Sequence, residues 1–348
     1  MPDVRFLLSA VAAAAVIGSA AAGAQPASTR LDAPRLSEIA RGTAFRDATL
    51  PAFSRKVAAS IPETWSYLDT VAGGQTVSIH LSKVIFPTSD PATAQEWADF
   101  FGSLVHGSEL SHLSAYFLTS TEVGRVCGAQ ALACYGQDQL FAPAEDPSFE
   151  LSSEAVVTHE YGHHVAAHRR NNPWVAIDTG PKRWASYEQV CAKAEAGQFY
   201  PGAEDEEHYQ LNPGEGWAET YRVLNERRAG LVEAPWQIVT TSLYPDWRAL
   251  TLAEQDVRSP WAKATTKLQK GSVKKARTFI VSTPRDGRIN LTLRASASLR
   301  LDLFAPSSRR LGHSAGKATS LSAEVCGERA LRVRVSGSGS FRLTISKP

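Results

Sequence analysis

The sequence predicts an α+β unit followed by a small all-β sandwich. Across residues 61–260, strand-like patterns come first and helical periods later, the order of an α+β fold. Past Trp261, short alternating runs separated by turn residues take over, as in a β-sandwich. The charge changes at the same place. Residues 262–348 carry 18 Lys and Arg against 4 Asp and Glu, a net of +14, whereas residues 1–261 carry 19 against 31, a net of −12. The overall charge of +2 hides this split, and all eight tryptophans lie at or before Trp261. Such a contrast marks two units with different tasks. With 43% apolar and 21% charged residues, the chain can bury a core and is not disordered. Its mean hydropathy of −0.21 and its single apolar run, at the N-terminus, exclude a multi-pass membrane protein.

That run, residues 6–22, is alanine-rich, follows Arg5, and ends in Ala22-Gly23-Ala24 before Gln25. It reads as a secretory signal peptide over 1–24, with a single membrane anchor as the alternative. Residues 25–60 are polar and irregular, a pro-segment or an N-terminal arm. Residues 77–86 are β-rich with partial alternation and read as a strand. Thr88-Ser89-Asp90-Pro91 then starts a helix over 92–105. Residues 113–119 and 139–142 read as two more strands, and helices are expected over 151–169, 186–196 and 213–228. These fill a first domain over 61–260. Residues 261–275 are basic, contain Gly and Ser, and read as a linker. In 276–348, strands are expected over 277–282, 288–294, 298–304, 330–335 and 340–346. Turns such as Pro284-Arg285-Asp286-Gly287 and Ser336-Gly337-Ser338-Gly339 separate them.

Export permits disulfides, and the four cysteines allow three pairings. Cys127 and Cys134 are close enough to close a local loop. Cys191 and Cys326 then either join the acidic part to the basic part or stay as buried thiols. The chain has no CxxC spacing, which argues against a cysteine-based zinc ribbon.

His159-Glu160-Tyr161-Gly162-His163 is an HExxH sequence. On a helix, residues i and i+4 lie about 40° apart, so both imidazoles point the same way and can share one Zn²⁺. Glu160 sits about 100° round from His159, close enough to exchange a proton with a water whose pKa the metal lowers toward about 7. A catalytic zinc needs a third protein ligand, and the stretch from Asn212 to Arg222 offers one. Asn212 suits an N-cap and Pro213 the first helical position. Glu215 and Glu219 are i and i+4, so one can hold zinc while the other receives the N–H of a ligand histidine. Asn212-x-x-Glu215 also reads as the start of a capping box, with Glu215 capping the helix. Capping leaves Glu219 unexplained, together with Gly214 and Gly216, two glycines that allow close backbone approach.

His159-Glu160-x-x-His163 followed 52 residues later by Glu215-x-x-Ala218-Glu219 resembles the gluzincin zinc metallopeptidases, to which thermolysin and anthrax lethal factor belong. The lethal-factor style is closer, through Glu215-Gly-Trp-Ala-Glu219-Thr-Tyr-Arg222. The resemblance covers two helices within 150–228. It implies a zincin-like catalytic domain, with His159, His163 and Glu215 as ligands to one Zn²⁺, Glu160 as general base, and Glu219 as partner of a ligand histidine. A metzincin would need Gly at 166 and His at 169, where this chain has Ala166 and Arg169. Peptide deformylase shares HExxH, but its other signature elements are missing. Tyr209, shortly before Glu215, is a candidate for stabilising an oxyanion; His208 is a weaker one.

His164 and His168 lie on the other arc of the HExxH helix and read as structural. Glu204 to Glu207 lacks EF-hand spacing and reads as a solvated loop. Lys270 to Lys275 has no interleaved aromatics, so no nucleic-acid partner is expected. The basic tail loosely resembles the bacterial pre-peptidase C-terminal domain, which implies a jelly-roll-like sandwich. Its charge suits an anionic cell-surface polymer or docking on the acidic part of its own chain.

These readings converge on a secreted zinc metalloendopeptidase acting on peptide or protein, with no membrane span after signal cleavage. The alternative is an inactive zincin-like secreted binding protein with a structural zinc. The cleft is expected between the helices carrying His159 and Glu215, with an edge strand from 77–119 or 139–142 pairing with extended substrate.

Overall fold

Two six-stranded sheets organise the chain, giving a mixed α/β protein. The computed structural model describes residues 46–49, 61–129, 131–148, 151–203, 205, 207–233 and 238–348. The expected signal peptide, and the N-terminal arm apart from 46–49, lie outside the described residues.

The first sheet runs β1 (Arg46–Thr49), β5 (Ala131–Gly136), β6 (Gln139–Pro143), β4 (Ser114–Leu118), β3 (Gln75–Ser82) and β2 (Thr64–Ala72) in spatial order. β3, β4 and β6 are mutually parallel, and antiparallel strands flank them. Parallel strands are buried on both faces and read as nearly continuous apolar runs. Ala115 to Leu118 is such a run, and all four residues are buried. Two helices make the connections. α1 (Pro91–Ser103) is capped by Asp90, whose carboxylate accepts the Thr93 N–H, with Pro91 in the first turn. α2 (Ser120–Cys127) is capped by Thr119 and Glu122 reciprocally. The Cys127–Cys134 disulfide ties α2 to β5.

Six further helices follow among the described residues: α3 (Ser153–Ala167), α4 (Ala176–Thr179), α5 (Lys182–Tyr187), α6 (Val190–Glu195), α7 (Pro213–Arg228) and α8 (Trp247–Arg258). The single helix expected over 186–196 is two short ones. Gln189 adopts a left-handed φ of 56° between them, which no α-helix continues through.

The second sheet comprises β7 (Thr265–Val273), β8 (Ala276–Ser282), β9 (Gly287–Phe304), β10 (Arg310–Val325), β11 (Ala330–Ser336) and β12 (Gly339–Lys347). The strands expected over 288–294 and 298–304 are one continuous β9. Its first half pairs with β12 and its second half with β11, while β10 runs along both halves. The β9–β10 register skips where Gly316 faces Leu299 and Ala318 faces Arg294, so the ribbon bends there and its halves share one core. Ile289, Leu291 and Leu293 from one half meet Leu299, Leu301 and Leu303 from the other, with Val333, Val335, Leu343 and Ile345. Residues 265–273, expected to be linker, form edge strand β7 on β12. Their side chains are mostly exposed, so no apolar alternation announces the strand.

A disulfide joins Cys191 on α6 to Cys326, which follows β10. Beside it, the buried Lys182 ammonium donates to the carbonyls of Asn172 (2.7 Å) and Asp286 (3.0 Å) and lies over the rings of Trp174 and Trp261. Burial pushes the Lys182 pKa down to about 8, although Asp286 opposes the shift. Arg329 pairs with Asp286 and donates to the Ser186 carbonyl at 2.6 Å, and the Asp286 N–H donates to Ser186 Oγ. The second sheet is therefore held to the helices by a covalent link and directed polar contacts.

Candidate metal centre

α3 begins at Ser152, whose Oγ accepts the Ala155 N–H at 3.2 Å. Within it, only Glu154 and Ala167 are exposed. α7 begins at Asn212, whose side chain accepts the Gly214 N–H at 2.9 Å, and Pro213 occupies the first turn. Capping is thus supplied by Asn212, and the Glu215 carboxylate is aimed at the histidines of α3.

The two helices cross at Gly162. A Cβ there would lie 2.8 Å from Ala218 Cα and 3.2 Å from its carbonyl oxygen, so only glycine permits this approach. Trp217 Nε1 donates to the Gly162 carbonyl at 2.8 Å. Gly214 likewise sits against the Ile177 carbonyl, whereas Gly216 faces the Leu243 side chain. Gly162→Ala is expected to push α3 from α7, lowering stability by about 1–3 kcal/mol as overpacking does and weakening metal retention. Thermal unfolding and metal analysis of the variant check both effects.

The crossing brings His159, His163 and Glu215 together, with one donor atom from each within 4.8 Å of the others. Glu215 Oε2 lies 3.2 Å from His159 Nε2 and 3.4 Å from His163 Nε2. The Tyr209 hydroxyl donates to the same oxygen at 3.2 Å. All three donor residues and Glu160 are fully buried. Glu215 Oε1 has no hydrogen-bond partner among the described residues. Two imidazoles and a carboxylate with a bare buried oxygen suit a borderline divalent cation, so this donor set fits zinc.

Glu219 stands behind His159, its Oε2 3.6 Å from Nδ1. That contact favours the tautomer with the proton on Nδ1, leaving Nε2 as the donor atom. Arg222 grips Glu219 through two hydrogen bonds of 2.9 and 2.6 Å and reaches Glu226 at 2.6 Å. Burial alone would raise the Glu219 pKa, but the Arg222 charge and hydrogen bonds, with His159, hold it down to about 2.

The structure thus brings His159, His163, Glu215, Glu219 and Tyr209 into one cluster, with Glu160 buried beside His159 on the same helix. His208 points elsewhere, bonded to Asp205 and packed on Tyr200. Two participants escaped sequence reasoning. Arg222 had a signal, its i+3 spacing from Glu219. Asp178 had none: it sits on the four-residue α4, where burial raises its pKa and the nearby His163 opposes that shift.

One expectation about access is corrected. β3, β4 and β6 are interior to the sheet, whose edges are β1 and β2; residues 77–119 and 139–142 offer no edge strand. The backbones of α3 and α7 approach closely at Gly162. A cavity of about 270 Å³ lies elsewhere, lined by Trp174, Ser186, Cys191, Glu195, Asp286 and Glu324 among others.

No protein-family model matches this sequence, and none of the curated proteins matches it. Among solved structures, the periplasmic g-type lysozyme inhibitor PliG of Aeromonas hydrophila is 11% identical, with 24% of this chain and 86% of that one covered at a TM-score of 0.19. PirA is 10% identical, with 26% and 97% covered at 0.18. A family GH115 4-O-methyl-α-glucuronidase is 9% identical, with 56% and 39% covered at 0.20. Likenesses this weak carry no functional weight.

Proposed function

We propose that this chain is a secreted zinc-dependent peptidase built on a zincin-like pair of helices. The supporting observation is the convergence of His159, His163 and Glu215 from two helices, with Glu160 next to the first ligand. When bound, zinc would supply a Lewis acid and an acidified water. Glu160 takes the proton of the attacking water and returns it to the leaving amine. The Tyr209 hydroxyl, which donates to Glu215 here, would turn its one proton to developing negative charge on the scissile carbonyl oxygen. Glu219, kept ionised by Arg222, holds His159 in the tautomer a ligand needs. The two disulfides suit an oxidising compartment, and no helix of the described residues is long and apolar enough to cross a membrane.

The second sheet is assigned to an anionic cell-surface polymer. Arg342 of β12 is the register partner of both Lys270 on β7 and Arg294 on β9. These three exposed cations form a row across adjacent strands. Like charges directly opposite repel, and a polyanion relieves that repulsion.

One observation favours a second reading. The donor set is fully buried, as befits a structural zinc in an inactive binding protein. Digestion of a broad peptide library separates the two. A peptidase cleaves, loses the activity to a chelator and regains it with added Zn²⁺. Zinc-loaded protein that leaves every peptide intact rejects the peptidase and leaves the binding protein.

A further inference from the structure

The helix carrying the HExxH sequence bears a second i, i+4 histidine pair, His164 and His168, set about 140° round from the first. Facing it is Asp138, at the second position of the two-residue turn between β5 and β6. Gln137 and Asp138 have φ of 49° and 64°, as a type I′ hairpin turn demands. Asp138 Oδ1 lies 2.7 Å from His168 Nε2 and 3.5 Å from His164 Nδ1. One donor atom from each of the three lies within 4.8 Å of the others. The burial is graded: the His164 side chain is fully buried, His168 is 26% exposed and Asp138 44%. One side is therefore open to an incoming ion.

The tautomer of His164 is fixed. Its Nε2 lies 2.8 Å from the Glu109 carbonyl oxygen, which only accepts, so Nε2 carries the proton. Nδ1 then presents its lone pair toward Asp138 and the Tyr135 hydroxyl, 3.1 Å away. A ring N–H on a backbone carbonyl, with the other nitrogen facing a carboxylate and a second imidazole, is the support that metal-ligating histidines receive.

We infer that Asp138, His164 and His168 form a second site for a divalent transition metal, separate from the His159 centre on the opposite face of α3. Two imidazoles and one carboxylate suit Zn²⁺, with water completing the coordination. His168 binds through Nε2 after its proton moves to Nδ1. The ion fastens the β5–β6 hairpin to the C-terminal end of the helix that holds the first centre.

The plain alternative is a hydrogen-bonded network with no ion. The test counts Zn²⁺ bound by the full chain after metal stripping and reloading with Zn²⁺ alone. Wild type is expected to hold two ions and His168→Ala one. Asp138→Asn tolerates the same turn and still accepts from His168, so it preserves the network while removing the charged ligand. It is expected to weaken one ion by about ten-fold or more, at least the loss seen when a ligand's supporting partner is removed, with thermal stability unchanged in the metal-free protein. Equal ion counts and affinities in wild type, His168→Ala and Asp138→Asn overturn the inference. One ion in wild type and none in His168→Ala would support this site and reject the His159 centre, so the two claims fail separately.

Discussion

Glu160→Gln is expected to lower kcat/KM for peptide hydrolysis by about 10²–10⁴, the usual contribution of a positioned general acid–base. That is about 3–5 kcal/mol of transition-state stabilisation at 1.36 kcal/mol per tenfold. The amide keeps the shape of the side chain and removes its ability to take a proton. Glu160 is not one of the three donors that lie within 4.8 Å of one another, so zinc retention at the first centre is expected to be unchanged. The diagnostic result is therefore a split between metal and turnover, read by metal analysis beside a peptide assay. Activity within ten-fold of wild type would sink the assigned role. Loss of zinc together with activity would mean that Glu160 supports the ligand cage.

The helices of the centre were legible because their signals are local. Ser152, Asn212 and Pro213 mark the starts, and an i, i+4 spacing puts His159 beside His163 and Glu215 beside Glu219 wherever those helices go. Helix α7 falls on the expected 213–228. What was hidden depends on contacts between distant segments. β10 is rich in Ser, Gly and Ala and largely exposed, so no apolar alternation marks it; its partner β9 supplies the pairing. Asp178 joins the site only because α4 packs on α7 near Gly214. The depth of the donor set was hidden too, because an apolar stripe does not reveal that a helix will be covered on nearly every side. His164 and His168 read as structural since their pattern alone is common. Their partner Asp138 comes from a hairpin turn far away in sequence.

Glu215→Ala and Glu219→Ala are expected to fail in opposite ways. Glu215 faces both imidazoles, so its removal takes one of three donors and should cost more zinc affinity than the roughly 10–100-fold expected for losing an orienting partner such as Glu219. Stability runs the other way. Glu219 is the bidentate partner of Arg222, and both are fully buried. Removing one member of a buried pair costs about 3–5 kcal/mol, because the remaining charge stays buried. Glu226 still holds one guanidinium nitrogen and places the loss toward the lower end. At about 2–4 °C per kcal/mol for a domain of about 200 residues, such as 61–260, the Tm of metal-free Glu219→Ala should fall by about 6–12 °C. Glu215 has no guanidinium partner; its removal takes an acceptor from the Tyr209 hydroxyl and the neighbouring imidazoles, a smaller cost of about 1–3 kcal/mol, and should change the metal-free Tm less. Zinc titration and thermal unfolding of the two variants side by side give the answer. Equal zinc losses would mean that the two carboxylates have been assigned each other's roles, while a small Tm change in Glu219→Ala would mean that Arg222 does not depend on it.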